Sequence, residues 1–293
     1  MELLRSMLFT PGNNLRMIQK AGGLGADAVI LDLEDAVPIG EKETGRLFVR
    51  DSVEQVAAKG ASVFVRVNAL PTGLTAEDLR WAVQPRLAGV VLPKTESKED
   101  VLTCAGWIAD LEKEQGIKPG SILLVPLLET AKGVLLAWEV ATASPRVTAL
   151  AFGAIDFTRD MGTNLSPEGT EIFYARSHVA LVSRAAGLQA IDTPWTDITD
   201  IDGLVKEARV ARQLGFRGKL AIHPNHVEPL HRVFSPSEAE IVFARKVVTA
   251  FREAEAQGLG AISLDGRMID VANARQAEQV MAWAEMIANK RKE

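Results

Sequence analysis

The sequence predicts an α/β protein built as a closed (β/α)8 barrel of the TIM type, followed by a C-terminal helical extension. Three observations lead there. Eight short apolar runs of β-branched character alternate with segments of helical period. No Gly-x-Gly-x-x-Gly turn follows the first run; Gly22, Gly23 and Gly25 precede the second run instead, which disfavours the doubly wound open sheet. Parallel strands joined by right-handed crossovers close without leaving a sheet edge.

The expected strands are Met7–Thr10, Ala28–Leu33, Ser62–Val67, Gly89–Leu92, Ile122–Leu127, Thr148–Phe152, Leu188–Ile191 and Leu220–Ile222. Continuous apolar runs of this length suit strands covered on both faces. Helices with recognisable starts lie between them. Ser97 with Asp100, and Thr75 with Asp78, have the spacing of capping boxes, and Val101, Ala105 and Ile108 recur at helical period. Leu204, Ala208 and Ala211 repeat that pattern before a stop at Gly215, and another helix stops at Gly187.

The eighth strand ends at His223-Pro224, leaving about seventy residues, more than a barrel of ~250 residues needs for its last helix. We therefore expect a barrel over residues 1–229 and an extension over 230–293 that includes that helix and acts as a lid or oligomer arm. Ser235-Pro236-Ser237-Glu238 has the form of a helix start, with Ser235 as cap. A loop over 258–266 and a last helix from Ala272 to Ala288 complete the reading.

Composition narrows the function. The 293 residues carry 33 Lys+Arg against 38 Asp+Glu, a net charge of −5 without a basic stripe, which argues against nucleic acid and anionic membrane surfaces. No apolar run approaches the ~18 residues of a membrane span, and the first residues lack a secretory pattern, so a cytosolic protein is expected. The single cysteine, Cys104, shares a helical face with Val101 and Ile108 and reads as core.

Barrel chemistry gathers at the C-terminal ends of the strands. Reading past each run gives Pro11-Gly12-Asn13-Asn14, then Asp32, Glu34 and Asp35, then Arg66 and Asn68, Lys94, Glu129-Thr130, Asp156, Asp192 and His223. Val147–Phe157 is the most telling stretch: an apolar run breaks at Gly153 and presents Asp156, either as a ligand or as a turn or helix-capping aspartate. With Glu129 on the preceding strand, Asp156 becomes half of a two-carboxylate site of the kind Mg²⁺ completes with waters and substrate oxygens. Zinc is disfavoured, because His178, His223, His226 and His231 form no His-Glu-x-x-His pattern and His223-x-x-His226 lacks a thiolate partner. A structural role is the better reading of His223. Arg66 presents a fork suited to a substrate carboxylate, or pairs internally with Asp32, Glu34 or Asp35. Those three acids are expected to support the site by orienting metal waters. Lys94 either contacts an anion or pairs with Glu129.

These segments together carry a resemblance. Arg5-Ser6-Met7-Leu8-Phe9-Thr10-Pro11-Gly12, Leu31-Asp32-Leu33-Glu34-Asp35-Ala36-Val37, Arg66-Val67-Asn68, Leu92-Pro93-Lys94, Glu129-Thr130-Ala131, Phe152-Gly153-Ala154-Ile155-Asp156, Ala190-Ile191-Asp192, Ile222-His223-Pro224 and Asp265-Gly266-Arg267-Met268-Ile269-Asp270 stand in order along nearly the whole chain. Each is weak alone; the ordered set resembles the HpcH/HpaI aldolase and citrate lyase β-subunit-like superfamily, especially its CoA-ester lyase branch.

The resemblance implies a Mg²⁺ site at Glu129 and Asp156, with Mn²⁺ as a possible substitute, and a substrate-binding Arg66. It implies reversible C–C cleavage of a 3-hydroxyacyl-CoA such as malyl-, citramalyl- or citryl-CoA, giving a 2-oxo acid and acetyl-CoA or a related thioester. It further implies a homotrimer or hexamer and a catalytic aspartate, matching Asp270, supplied by a C-terminal lid from a neighbouring subunit; periodicity alone reads Asp270 as a helix N-cap. Arg5 and the Pro11–Asn14 loop, with Pro11 and Gly12, are expected to contact CoA, although Gly12 also reads as a turn glycine. His226, where the family usually has glutamine, and Ile155, where a polar residue often stands, depart from the pattern and leave the substrate open. The alternatives are a metal-dependent aldolase on free hydroxy-oxo acids, a thioester hydrolase acting after condensation, a citrate lyase subunit working on an acyl-carrier partner, and a non-catalytic CoA binder.

Overall fold

The structure, a computed structural model, describes residues 2–290. Eight parallel strands form a closed barrel in sequence order: β1 (Ser6–Pro11), β2 (Ala28–Asp32), β3 (Ser62–Arg66), β4 (Leu87–Leu92), β5 (Leu123–Leu128), β6 (Ala149–Phe152), β7 (Gln189–Asp192) and β8 (Gly218–Ala221). Closure comes from β1 against β8, with Ser6 opposite Lys219 and Leu8 opposite Ala221. Every expected run is a strand, shifted at its ends by a residue or two. The largest shift is in β8, which starts at Gly218 because Lys219, polar in the pattern, is fully buried among partners.

Alternate residues of the strands fill the barrel: Met7, Ile30, Phe64, Val91, Val125, Leu127, Ala151, Ile191 and Leu220 belong to one buried cluster. The period of two that puts one side chain in and the next toward the helices makes this arrangement. Cys104 lies in the outer layer, and burial pushes its thiol up to about 12 despite the opposing charge of Arg146, so it is inert core.

The Ser97–Asp100 capping box forms, and Gly215 ends the helix Ile201–Leu214 in the left-handed region at φ 108°. Two expected starts are corrected. Thr75 and Asp78 make no box: the Asp78 carboxylate accepts from Arg46 and from both nitrogens of Asn68, and Thr75 donates to the Asn68 carbonyl. The later helix, Glu238–Ala256, is capped by Ser237 with Glu240, two residues beyond Ser235.

The chain divides into two compact units, Met1–His231 and Arg232–Glu293. In the second, the helices Glu238–Ala256 and Val271–Lys290 share an apolar core of Ala244, Val247, Val248, Phe251, Ile269, Ala274 and Ala277. Where a loop was expected lies a hairpin, β9 (Ala261–Leu264) and β10 (Arg267–Asp270), turning on Asp265 and Gly266 at φ 51° and 76°. Asp-Gly between strands is the signature of such a turn. Among the described residues no helix is long and apolar enough to cross a membrane.

Candidate active site

The C-terminal ends of the strands open into a cavity of about 680 Å³ whose charged lining is Asp32, Asp35, Arg66, Glu129, Asp156 and Arg159. Phe9, Pro11, Met17, Leu127 and Ile222 supply apolar wall.

Glu129 follows β5 and is 2% exposed. Its Oε1 accepts from the backbone N–H of Lys94 at 2.8 Å. Lys94 sits at φ 49°, a conformation costly for a residue with a Cβ, and this turn aims the N–H at the carboxylate. On the other side stands Gly153. A Cβ there would lie 2.7 Å from Glu129 Oε2 and 2.8 Å from its Cβ, while the backbone at φ −114° is open to any residue. Glycine is therefore required for space, and what approaches it is the Glu129 carboxylate.

Asp156 lies in the first turn of the helix Ala154–Asp160, where the helix dipole favours a carboxylate; the cap itself is Gly153, so Asp156 is no capping residue. Its side chain is 17% exposed and ion-pairs with Arg159, one turn further along.

The Arg66 fork is closed on Asp32. Nε and Nη2 donate to the two carboxylate oxygens at 2.7 Å each, while Nη1 lies 3.1 Å from Glu34 and 3.6 Å from Asp35. The guanidinium also covers the Phe9 ring at 4.7 Å. Burial works against its charge, but Asp32, Glu34 and Asp35 raise its pKa above the ordinary arginine value. Each guanidinium nitrogen thus faces a carboxylate of the chain itself. Lys94 Nζ pairs with Glu34 at 2.5 Å, so its side chain serves Glu34 and only its backbone serves Glu129. The three acids thus hold cations, and Asp32 and Asp35 also line the cavity.

The remaining expected site residues take the following places. Arg5 precedes β1, at the end of the barrel away from the cavity. It is buried, its backbone N–H and its guanidinium Nε and Nη2 donating to Asp27 at 2.8–2.9 Å, which removes it from any CoA contact at the mouth. Gly12 is buried, its N–H donates to the Asp32 carbonyl at 2.8 Å, and a Cβ would stand 2.5 Å from that oxygen; it joins β1 to β2 rather than lining the cavity, which Pro11 does. Asn68 is tied to Asp78 and the Leu33 carbonyl. Asp192 turns outward to Arg176 and Lys219, leaving Thr193 on the wall. His223 accepts from the Asn225 N–H through Nδ1, a structural contact. Asp270 accepts from the N–H groups of Ala272 and Asn273 at 2.9 and 3.1 Å, capping the helix Val271–Lys290.

Four carboxylates thus face two guanidiniums around the cavity, an excess of negative charge. Burial, then the neighbouring Glu34, pushes Glu129 up to about 7, against the Lys94 N–H and Arg66. Among the described residues no three His, Cys, Asp or Glu cluster as a complete ligand set. Two carboxylate oxygen donors, one short of a cationic partner and the other paired only with the exposed Arg159, fit a hard divalent cation that fills its remaining positions with water and substrate oxygens. Sequence reasoning missed Arg159, although its spacing of three from Asp156 on one helix face was a usable signal.

Comparison with known proteins shows the family of the chain. The model of the family described as HpcH/HpaI aldolase/citrate lyase matches residues 5–224. The citrate lyase subunit beta of Leuconostoc mesenteroides subsp. cremoris is 38% identical over 282 residues, covering 96% of this chain and 93% of that one. The human mitochondrial citramalyl-CoA lyase is 34% identical over 301 residues, covering 98% and 87%. The CitE protein of Mycobacterium tuberculosis, solved in complex with magnesium, acetoacetate and coenzyme A, superposes with a TM-score of 0.78 at 30% identity over 96% of this chain and 98% of that one. With its eight-stranded barrel and the match over most of its length, the chain belongs to the HpcH/HpaI aldolase/citrate lyase family.

Proposed function

We propose that the protein is a divalent-cation-dependent carbon–carbon lyase. It would cleave, or in reverse form, a 3-hydroxyacyl-CoA such as malyl-, citramalyl- or citryl-CoA, with a 2-oxo acid and acetyl-CoA or a related acyl-CoA as the other side of the reaction. The observation that carries this reading is the pairing of Glu129 and Asp156 in one negatively charged cavity. The relatives named for citrate lyase and citramalyl-CoA lyase, and the CitE complex with magnesium and coenzyme A, support it.

Glu129 and Asp156 would hold Mg²⁺, or Mn²⁺ in its place. When bound, the cation supplies a Lewis acid for the hydroxyl and carboxylate oxygens of the substrate. Arg66, immobilised by Asp32, contributes fixed positive charge beside the forming oxo acid without reorganising during the reaction. A carboxylate of the cavity would take the hydroxyl proton; as the hydroxyl oxygen becomes the oxo group of the 2-oxo acid, the C–C bond breaks and leaves its electron pair on the carbon next to the thioester. Asp270 is proposed to protonate that carbon, and to remove the same proton in the condensation direction, a role resting on the resemblance. A cytosolic homotrimer or hexamer completes the proposal; light scattering of the purified protein tests the assembly.

The deciding experiment is a lyase assay over a panel of 3-hydroxyacyl-CoAs and free hydroxy-oxo acids, with the cation chelated and then restored. Activity on a CoA ester should vanish with chelator and return with Mg²⁺; turnover indifferent to chelation overturns the proposal. A second reading, a citrate lyase subunit that needs an acyl-carrier partner, is favoured by the relatives named as subunits of citrate lyase, at 38–39% identity. The same assay separates the two, since the isolated chain turns over free CoA esters only in the first.

A further inference from the structure

The charged groups of the cavity are unequally committed. Arg66 is 11% exposed at its side chain and locked to Asp32 by two parallel hydrogen bonds, so the fork that would grip a substrate carboxylate is already filled. Arg159 is 71% exposed at its side chain and lines the same cavity. Its one ion pair among the described residues is with Asp156, a half of the candidate cation site. A divalent cation and the Arg159 guanidinium therefore compete for the same carboxylate. Displacing the guanidinium frees a planar, permanently charged fork beside the cation, without disturbing a buried contact.

We propose that Arg159 is a cation-responsive carboxylate-binding residue. In the cation-free protein it neutralises Asp156; once a divalent cation occupies Asp156, the guanidinium turns to the carboxylate of the bound 2-oxo acid. Arg159 then selects substrates that bear a carboxylate at the cation end of the molecule, while Arg66 serves as a fixed charge behind it. The inference rests on the functional reading above, from which it takes the cation and the ligand class. The phosphates of coenzyme A offer the same anionic chemistry, but Arg159 stands one helical turn from Asp156, which favours the group held nearest the cation.

Binding measurements test this without turnover. Mg²⁺ is titrated calorimetrically into the wild-type protein, Arg159→Gln and Arg159→Lys. Pyruvate, and separately coenzyme A, are then titrated into the Mg²⁺-loaded proteins. Removing a partly exposed competitor should tighten Mg²⁺ about two- to fivefold in Arg159→Gln. Losing a charge-assisted contact should weaken pyruvate about tenfold or more in the same variant, with Arg159→Lys recovering part of it and coenzyme A unchanged. Unchanged Mg²⁺ affinity, unchanged pyruvate affinity, or a loss confined to coenzyme A each overturns the proposal. If the wild-type protein takes neither Mg²⁺ nor pyruvate, the functional reading falls and this inference with it. If it takes both and Arg159→Gln matches it, only the inference falls. Because Arg159 is exposed, both variants should keep the wild-type circular dichroism and melting curve.

Discussion

Two ionic networks in the same barrel handle charge in opposite ways. Between β7, β8 and the helices Phe173–Ala185 and Ile201–Leu214, Asp192 and Glu207 face Arg176 and Lys219. Acids and bases balance there, and Asp192 and Lys219 are wholly buried. Burial alone would raise Asp192, but Lys219 and Arg176 outweigh it and hold the carboxyl below its ordinary range. At the cavity the cations are tied up by Asp32 and Glu34, and Glu129 is left short of a partner and pushed up to about 7. A closed, neutral network is architecture; an open one with an excess acid is a place for a ligand. The same residue types appear in both, and only the accounting of partners separates them.

The largest effect should come from breaking the closed network. Lys219→Met leaves the buried Asp192 and the half-buried Glu207 sharing Arg176 and should cost about 3–5 kcal/mol of stability in denaturant unfolding. A loss below about 1 kcal/mol would erase the distinction between the two networks. The open network makes the opposite prediction. Because the folded protein holds the Glu129 proton up to about pH 7, against an ordinary carboxylate value of 4.5, this residue destabilises the cation-free fold progressively as pH rises between those values. Glu129→Gln should therefore be more stable than wild type in chelator at pH 8, by at most roughly 3 kcal/mol, with the advantage gone near pH 4. Added Mg²⁺ should stabilise the wild type and leave Glu129→Gln unmoved; equal stability curves at pH 8 would count against a strained Glu129.

The smallest of the three effects concerns the space that shapes the open network. Gly153→Ala places a methyl group against Glu129 Oε2 and should cost about 1–3 kcal/mol of stability, with a weaker Mg²⁺ affinity seen by calorimetry. Unchanged affinity would mean that Glu129 has another position from which to bind.

Much of this was legible in the chain. Strands buried on both faces announce themselves as apolar runs, so all eight were found, and reading past each one located Arg66, Glu129 and Asp156 on the cavity wall. What sequence could not supply was direction. Asp192 and Asp156 each follow an apolar run, yet Asp192 is still the last residue of β7 and alternates to the helix side, whereas Asp156 lies beyond β6 in the first turn of the helix Ala154–Asp160 and lines the cavity. Arg5 stands at the wrong end of β1 for the mouth, and its partner Asp27 is remote in sequence. The hairpin at Ala261–Asp270 was missed because its strands are short and half-exposed, although Asp265-Gly266 marked the turn.

The pairing of β1 with β8 also bears on how the protein is made. Ser6 and Lys219 are partners, so the first strand synthesised waits for one of the last parts of the barrel before its outer edge is covered. Until the ribosome has released residues 218–221, β1 and the newest strand both present open hydrogen-bonding edges, the surfaces on which chains join one another. Closing a ring from ends so far apart in sequence is slow. The nascent barrel is thus most exposed to misassembly late in translation, and a chaperone that shields strand edges would act on this chain just before β8 emerges.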